Sequence, residues 1–155
     1  QTCALPIFPS LVLRTSLITG LPGEGQAEFE ELCEFLREAR IERAGVFPFS
    51  PEEGTDACNM EHVPTEEAVR RAELIEELQA EVMGSFNLSR VGRTERVLCE
   101  GYDRYAELYF GRSFADSPEV DGKVFFTGGD PTPGEFINVR VTDTLEGDLV
   151  GEAEA

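Results

Sequence analysis

The first sustained hydrophobic run is VLRTSLIT at residues 12–19, rich in β-branched positions and closed by GLPGEG. That pattern predicts a buried strand ending in a tight loop. The period then changes. Phe29, Leu32, Cys33, Leu36 and Ala39 recur at helical spacing, and Glu28, Glu30, Glu31, Glu34 and Glu38 fill positions between them. This predicts an amphipathic helix with one wet face and acids near the positive end of its macrodipole. IERAGVFPFSP supplies a second apolar run, so short connections predict a right-handed parallel strand–helix–strand unit. A parallel sheet needs cover on both faces, which implies further sheet or barrel beyond this unit.

EEGTDACNMEHVP reads as a polar loop, and Pro64, Thr65, Glu66 and Glu67 open a long helix with Thr65 as its N-cap. Its buried stripe is Ala68, Ala72, Ile75, Leu78, Val82 and Phe86. Glu66 with Arg70, and Glu67 with Arg71, lie four residues apart, where mild exposed pairing suffices. Beyond Gly92 the pattern shortens to RTERVLCEGYD, AELYFGRS, KVFFTGG, FINVRVTDT and LVGEAE, separated by Gly, Pro and Asp. Five such strands predict a small antiparallel barrel.

Composition narrows the class. At 41% hydrophobic residues the chain is too apolar for a disordered acidic tail, and no apolar stretch is long enough to span a bilayer. Its 155 residues suffice for one domain or two small ones. Four widely spaced cysteines, Cys3, Cys33, Cys58 and Cys99, fit free thiols in a reducing, cytoplasmic setting. The formal net charge is -18, and both parts share it: residues 1–91 carry 17 acids and 7 bases, residues 92–155 carry 14 acids and 6 bases. Such a surface repels phosphate backbones and anionic lipid and attracts a basic protein.

Residues 1–7, QTCALPI, contribute no periodicity and resemble the in-frame translation of a sequencing adapter, so they read as a scar on a chain truncated at its front. A secretory signal is disfavoured, because a basic start is missing and Pro6 and Pro9 interrupt the apolar run. The sequence has no GxxxxGK[ST], HExxH or GxSxG motif. Gly20, Gly23, Glu24 and Gly25 stand between a strand and a helix N-terminus, where backbone N–H groups can receive a ligand's polar end; a plain tight turn is an equal reading. Cys58 and His62 are an incomplete set for zinc, which leaves an exposed histidine. Glu52 and Glu53 read as a solvated face.

The order of segments LRTSLITGLPGE, GVFPFSPEEGT, HVPTEEAVRRAELIEELQAE, VLCEGYD, YFGRSFADSPEVDGKVFFT and PGEFINVRVTDTLEGDLVGE resembles the C-terminal part of radical-SAM methylthiotransferases, across residues 13–152. GRSFADSPEVDG resembles the ribosomal-protein branch, which methylthiolates an aspartate of protein twelve of the small ribosomal subunit. The alternatives are the tRNA-modifying branch and a free-standing binding module. The resemblance implies an α/β fragment, the last βα units of a radical-SAM partial TIM barrel, followed by an all-β, OB-like TRAM domain built as an antiparallel barrel. Its divisions are residues 1–7 (scar), 8–64 (end of the radical-SAM barrel), 65–91 (connecting helix) and 92–155 (TRAM).

By the same resemblance, Ile18, Gly20 and Glu24 lie along the S-adenosylmethionine site, Glu24 one position from the usual place of the motif's acid, and Val46, Phe47, Phe49 and Ser50 pack near the adenosine. Arg112, Asp116, Glu119 and Asp121 would hold the protein substrate, with Arg112 anchoring the acidic loop; solubility alone is an equal reading of these acids from composition. The full-length enzyme would use S-adenosylmethionine and two 4Fe-4S clusters. The cluster-binding cysteine motifs are missing from these residues, so the fragment is expected to hold no metal, no cofactor and no catalytic residue of its own. The implied partner is the basic ribosomal protein rather than tRNA or a membrane, with the chain as a monomer.

Overall fold

The computed structural model describes residues 11–154, so the adapter-like residues 1–7 lie outside it. Two compact units divide at Gln1–Met83 and Gly84–Ala155.

In the first unit, β1 (Arg14–Thr19) and β2 (Arg43–Pro48) pair in parallel around α1 (Gln26–Ala39), as the pattern predicts. Gly25 caps α1 and the Glu28 carboxylate reaches back to its N–H at 2.9 Å. At the other end Arg40 turns left-handed, and its N–H closes on the Leu36 carbonyl at 3.0 Å. The long helix α2 (Thr65–Arg90) begins here and ends in the second unit. The Pro64 carbonyl accepts from Glu67 and Ala68, so Thr65 is the first helical residue rather than the cap. Phe29, Leu36, Ile41, Val46, Ala72 and Ile75 form the core between sheet and helices. The segment before α2, read as a polar loop, carries one short 3-10 helix, Asp56–Asn59.

The second unit is a closed barrel of five strands, β3 (Thr94–Asp103), β4 (Leu108–Arg112), β5 (Val124–Thr127), β6 (Phe136–Leu145) and β7 (Asp148–Ala153), in ring order β3-β4-β5-β7-β6. All five expected strands are present, but the barrel is mixed rather than antiparallel, because β5 and β7 run parallel. The reason is parity: direction cannot alternate around an odd-membered ring. β3 serves two neighbours, pairing β6 along its first half and β4 along its second, and the register shifts between Cys99 and Gly101 where it bends. Val97, Cys99, Val124, Phe126, Val139, Val141 and Leu149 fill the interior. Among the described residues no helix is long and apolar enough to cross a membrane.

Candidate functional site

The carboxyl end of β1 is fixed to α2. Thr19, fully buried, donates its hydroxyl to the Ala68 carbonyl at 2.9 Å. Gly20 follows with φ +75, and a side chain there would run into Ala68, so both conformation and close approach require glycine. Glu24 closes the loop from within: its Oε1 accepts the Gly20 N–H at 2.9 Å and pairs with the Arg71 guanidinium at 2.7 Å. Arg71 also donates to the Glu24 carbonyl at 3.0 Å and to Glu67, and lies over the Phe29 ring. Both side chains of the Glu24–Arg71 pair are nearly enclosed, 10% and 6% exposed. Arg71 is therefore a buried brace, in contrast to the mild surface pairing expected of it.

The residues expected along the S-adenosylmethionine site do not share one surface. Ile18 and Phe47 are register partners, 46% and 59% exposed, and form a bare apolar step on the sheet. Val46 faces the other way, into the core, because neighbours on a strand alternate. Phe49 ties its N–H to the Thr19 carbonyl at 2.8 Å and sets its ring 5.7 Å from that of His62, while Ser50 is exposed. Glu24 is committed to the loop's own Gly20 and Arg71. His62 is half-buried rather than exposed, its Nε2 2.8 Å from the Ala57 carbonyl oxygen. A cleft of about 330 Å³ opens between residues 23–25 and Glu61, His62 and Val63.

Arg70 and Arg71 both hydrogen-bond to Glu67 and hold its carboxyl down at about 2. Its folded value is below the ordinary 4.5, so the stabilisation is present above pH 4.5 and is lost as pH falls toward 2. In a carbon-detected NMR titration the Glu67 carboxyl is expected to titrate near pH 2; a midpoint near 4.5 would show that the two arginines do not hold it.

In the barrel, the acidic segment after β4 is organised by a residue the sequence pattern did not single out. Arg90, at the end of α2, grips Glu95 with two bonds of 2.8 and 2.6 Å and donates to the Ser113 hydroxyl at 2.5 Å. Its Nη1 lies 3.5 Å from Asp116, and the rings of Phe86 and Phe114 lie at 5.3 and 5.9 Å. Burial opposes the charge on Arg90, but Glu95 and Asp116 outweigh it and raise its pKa. Asp116 is itself enclosed, 4% exposed at the side chain, and accepts from the Ser113 N–H and hydroxyl. Asp121 accepts the Ser117 N–H at 2.6 Å. Glu119 is exposed, with a left-handed φ of 61. Arg112, expected to anchor this segment, instead reaches across to Glu100 on β3 at 2.6 Å. Arg90 takes the place assigned to it.

Residues 91–153 match the TRAM domain family. Over 147 residues the chain is 41% identical to Ribosomal protein uS12 methylthiotransferase RimO of Caldanaerobacter subterraneus, covering 94% of this chain and 33% of that protein. The protein of the same name from Pelotomaculum thermopropionicum is 46% identical over 148 residues, with 94% and 33% covered. That from an Anaeromyxobacter species is 45% identical over 149 residues, with 95% and 32% covered. The chain matches the carboxy-terminal third of uS12 methylthiotransferases. It thus spans about a third of the length of the curated relatives it matches.

The TRAM barrel gives the match a physical address. Its interior is apolar and closed, and the segment after β4 is braced against it by Arg90. Cys33, Cys58 and Cys99 are free thiols on α1, the 3-10 helix and β3, and burial pushes the Cys33 and Cys99 thiols up. Among the described residues no three His, Cys, Asp or Glu side chains come together as a metal site.

Proposed function

We propose that this chain is the carboxy-terminal part of a cytoplasmic methylthiotransferase that modifies an aspartate of ribosomal protein uS12, with its TRAM barrel holding that substrate. The observation that carries the reading is the 40–46% identity to proteins of that name, sustained across more than nine-tenths of the chain. In this reading the first unit is the last strand–helix–strand of the radical-SAM barrel, and the division falls along residues 8–64, 65–91 and 92–155.

The residues of the first unit suit one part of the implied cofactor. The bare step of Ile18 and Phe47 offers an apolar surface of the kind an adenine face takes. Gly20 and Glu24 satisfy each other and keep the loop in shape beside that step, rather than offering their polar groups to a ligand. Val46 belongs to the core and drops out of the site. The three described cysteines are not a cluster-binding set, so no step is assigned to them. Bound S-adenosylmethionine and iron–sulfur clusters would supply radical and sulfur chemistry that side chains cannot perform on an unactivated carbon.

The substrate side rests on charge. Residues 92–155 carry 14 acids and 6 bases, which favours a basic protein over tRNA. Because Asp116 is locked to Arg90 and Asp121 to its own turn, Glu119 is the acid of this segment best placed to meet a partner. Titrating the chain with uS12 and with tRNA is expected to give salt-sensitive binding to uS12. Glu119→Lys should weaken that binding a few-fold at low salt, with the difference fading as salt rises. Tighter binding to tRNA would overturn the ribosomal-protein assignment in favour of a tRNA-modifying relative.

A further inference from the structure

The hairpin joining β3 and β4 carries an aromatic pair, set apart in sequence from the acidic segment. Tyr102 and Tyr109 are register partners on these strands, with ring centroids 4.8 Å apart at 59°. Tyr109 stacks inward on the buried Phe126 ring, with centroids 5.7 Å apart, so the barrel core orients it. Tyr102 is 47% exposed. The Tyr109 hydroxyl donates to Asp130 at 3.0 Å, and that bond raises the phenol's pKa. Asp130 is exposed on a left-handed turn, and its second carboxylate oxygen carries no hydrogen bond among the described residues.

We propose that Tyr102, Tyr109 and Asp130 form a docking site for an arginine or lysine side chain of a basic protein partner. A cation is attracted to the face of an aromatic ring, and a carboxylate beside the ring supplies a charged acceptor for its N–H groups. The barrel uses this chemistry internally: Arg96 lies 4.2 Å over the Phe136 ring and Lys123 4.5 Å over Phe110. Tyr102 is the more exposed ring of the pair and, among the described residues, has no cation of its own chain upon it. Nucleic-acid bases also stack on tyrosine, but an exposed carboxylate at the same place and 14 acids against 6 bases in residues 92–155 repel the phosphates. The identity of the natural partner as uS12 rests on the function proposed above; the chemistry of the site does not.

The full chain is titrated with uS12, with a synthetic Arg-Gly peptide and with oligouridylate, while Tyr ring resonances are followed by NMR. Tyr102→Leu keeps apolar bulk but removes the π face, and Asp130→Asn removes charge while keeping an acceptor for Tyr109. Each is expected to weaken uS12 and peptide binding by about two- to fivefold, as a single exposed cation–π contact does, with Tyr102 and Tyr109 resonances shifting in the wild type. Binding of both ligands with no loss in either variant overturns the site but leaves the uS12 reading intact. Peptide binding that needs Tyr102 and Asp130, with no binding of uS12, supports the site and overturns the uS12 reading. Oligouridylate binding that is tighter than the peptide's and lost in Tyr102→Leu overturns the cation site in favour of a base-stacking one.

Discussion

Replacing Arg90 by Met is expected to lower the stability of the barrel unit by about 3–5 kcal/mol, the usual cost of removing one partner from a buried ion pair. The magnitude follows from what is left behind. Glu95 is buried and Asp116 is enclosed, so both carboxylates would stay desolvated without their cation, and the Ser113 hydroxyl would lose its donor. Methionine fills much of the space between Phe86 and Phe114, so the loss reports charge and hydrogen bonding more than a cavity. Arg90→Lys should recover only part of it, because an ammonium cannot make the two-bond fork to Glu95. Urea unfolding followed by circular dichroism measures the loss, and amide exchange locates it: residues 113–121 should lose protection first. A change of less than about 1 kcal/mol would show that the network contributes no more than surface pairs do.

Arg90 shows where reading the sequence stops. An arginine in the last turn of a helix has a sufficient local explanation in the helix macrodipole, and nothing in the spacing of residues 90, 95, 113 and 116 announces that a barrel will bring them together. The same holds for Arg71. Its pairing with Glu67 is visible as a four-residue interval, but Glu24 lies 47 residues away in the chain. Local periodicity, by contrast, carries far. The helix stripe from Phe29 to Ala39 and the five short strands appear where alternation and turn residues place them, because those patterns depend on neighbours along the chain.

Two corrections were open to the sequence itself. Five strands closing a ring cannot all be antiparallel, so the parallel β5–β7 pair follows from counting. Alternation along a strand also separates Val46 from Phe47: if one lines a ligand surface, the other faces the core. The resemblance grouped both with the cofactor because a family motif is a string of positions, whereas a site is a surface. Glu24 illustrates the same difference, since an acid in a loop expected to meet a ligand is taken up by the loop's own Gly20 N–H and by Arg71.

That bracing makes Arg71→Met the second change with a large expected effect, confined to the first unit. The substitution strips the Glu24 carboxylate, 10% exposed, of its cation and removes the donor to the Glu24 carbonyl. It also removes one of two guanidiniums from Glu67, but that carboxylate is more open to water and keeps Arg70. The buried partner therefore sets the magnitude, and a loss of about 3 kcal/mol is expected, at the lower end for a broken buried pair. The effect should appear as faster exchange of the Gly20 amide, because a Glu24 side chain drawn out to water no longer accepts from it. Glu24→Gln separates charge from hydrogen bonding. Its amide oxygen can still accept from Gly20 while Arg71 keeps Glu67, so exchange at Gly20 should stay slow and the stability loss should be smaller than in Arg71→Met. Equal losses in the two variants would mean that the ionic charge of Glu24, and not the shape it gives the loop, holds this end of the sheet. An unchanged Gly20 exchange rate in Arg71→Met would refute the brace altogether.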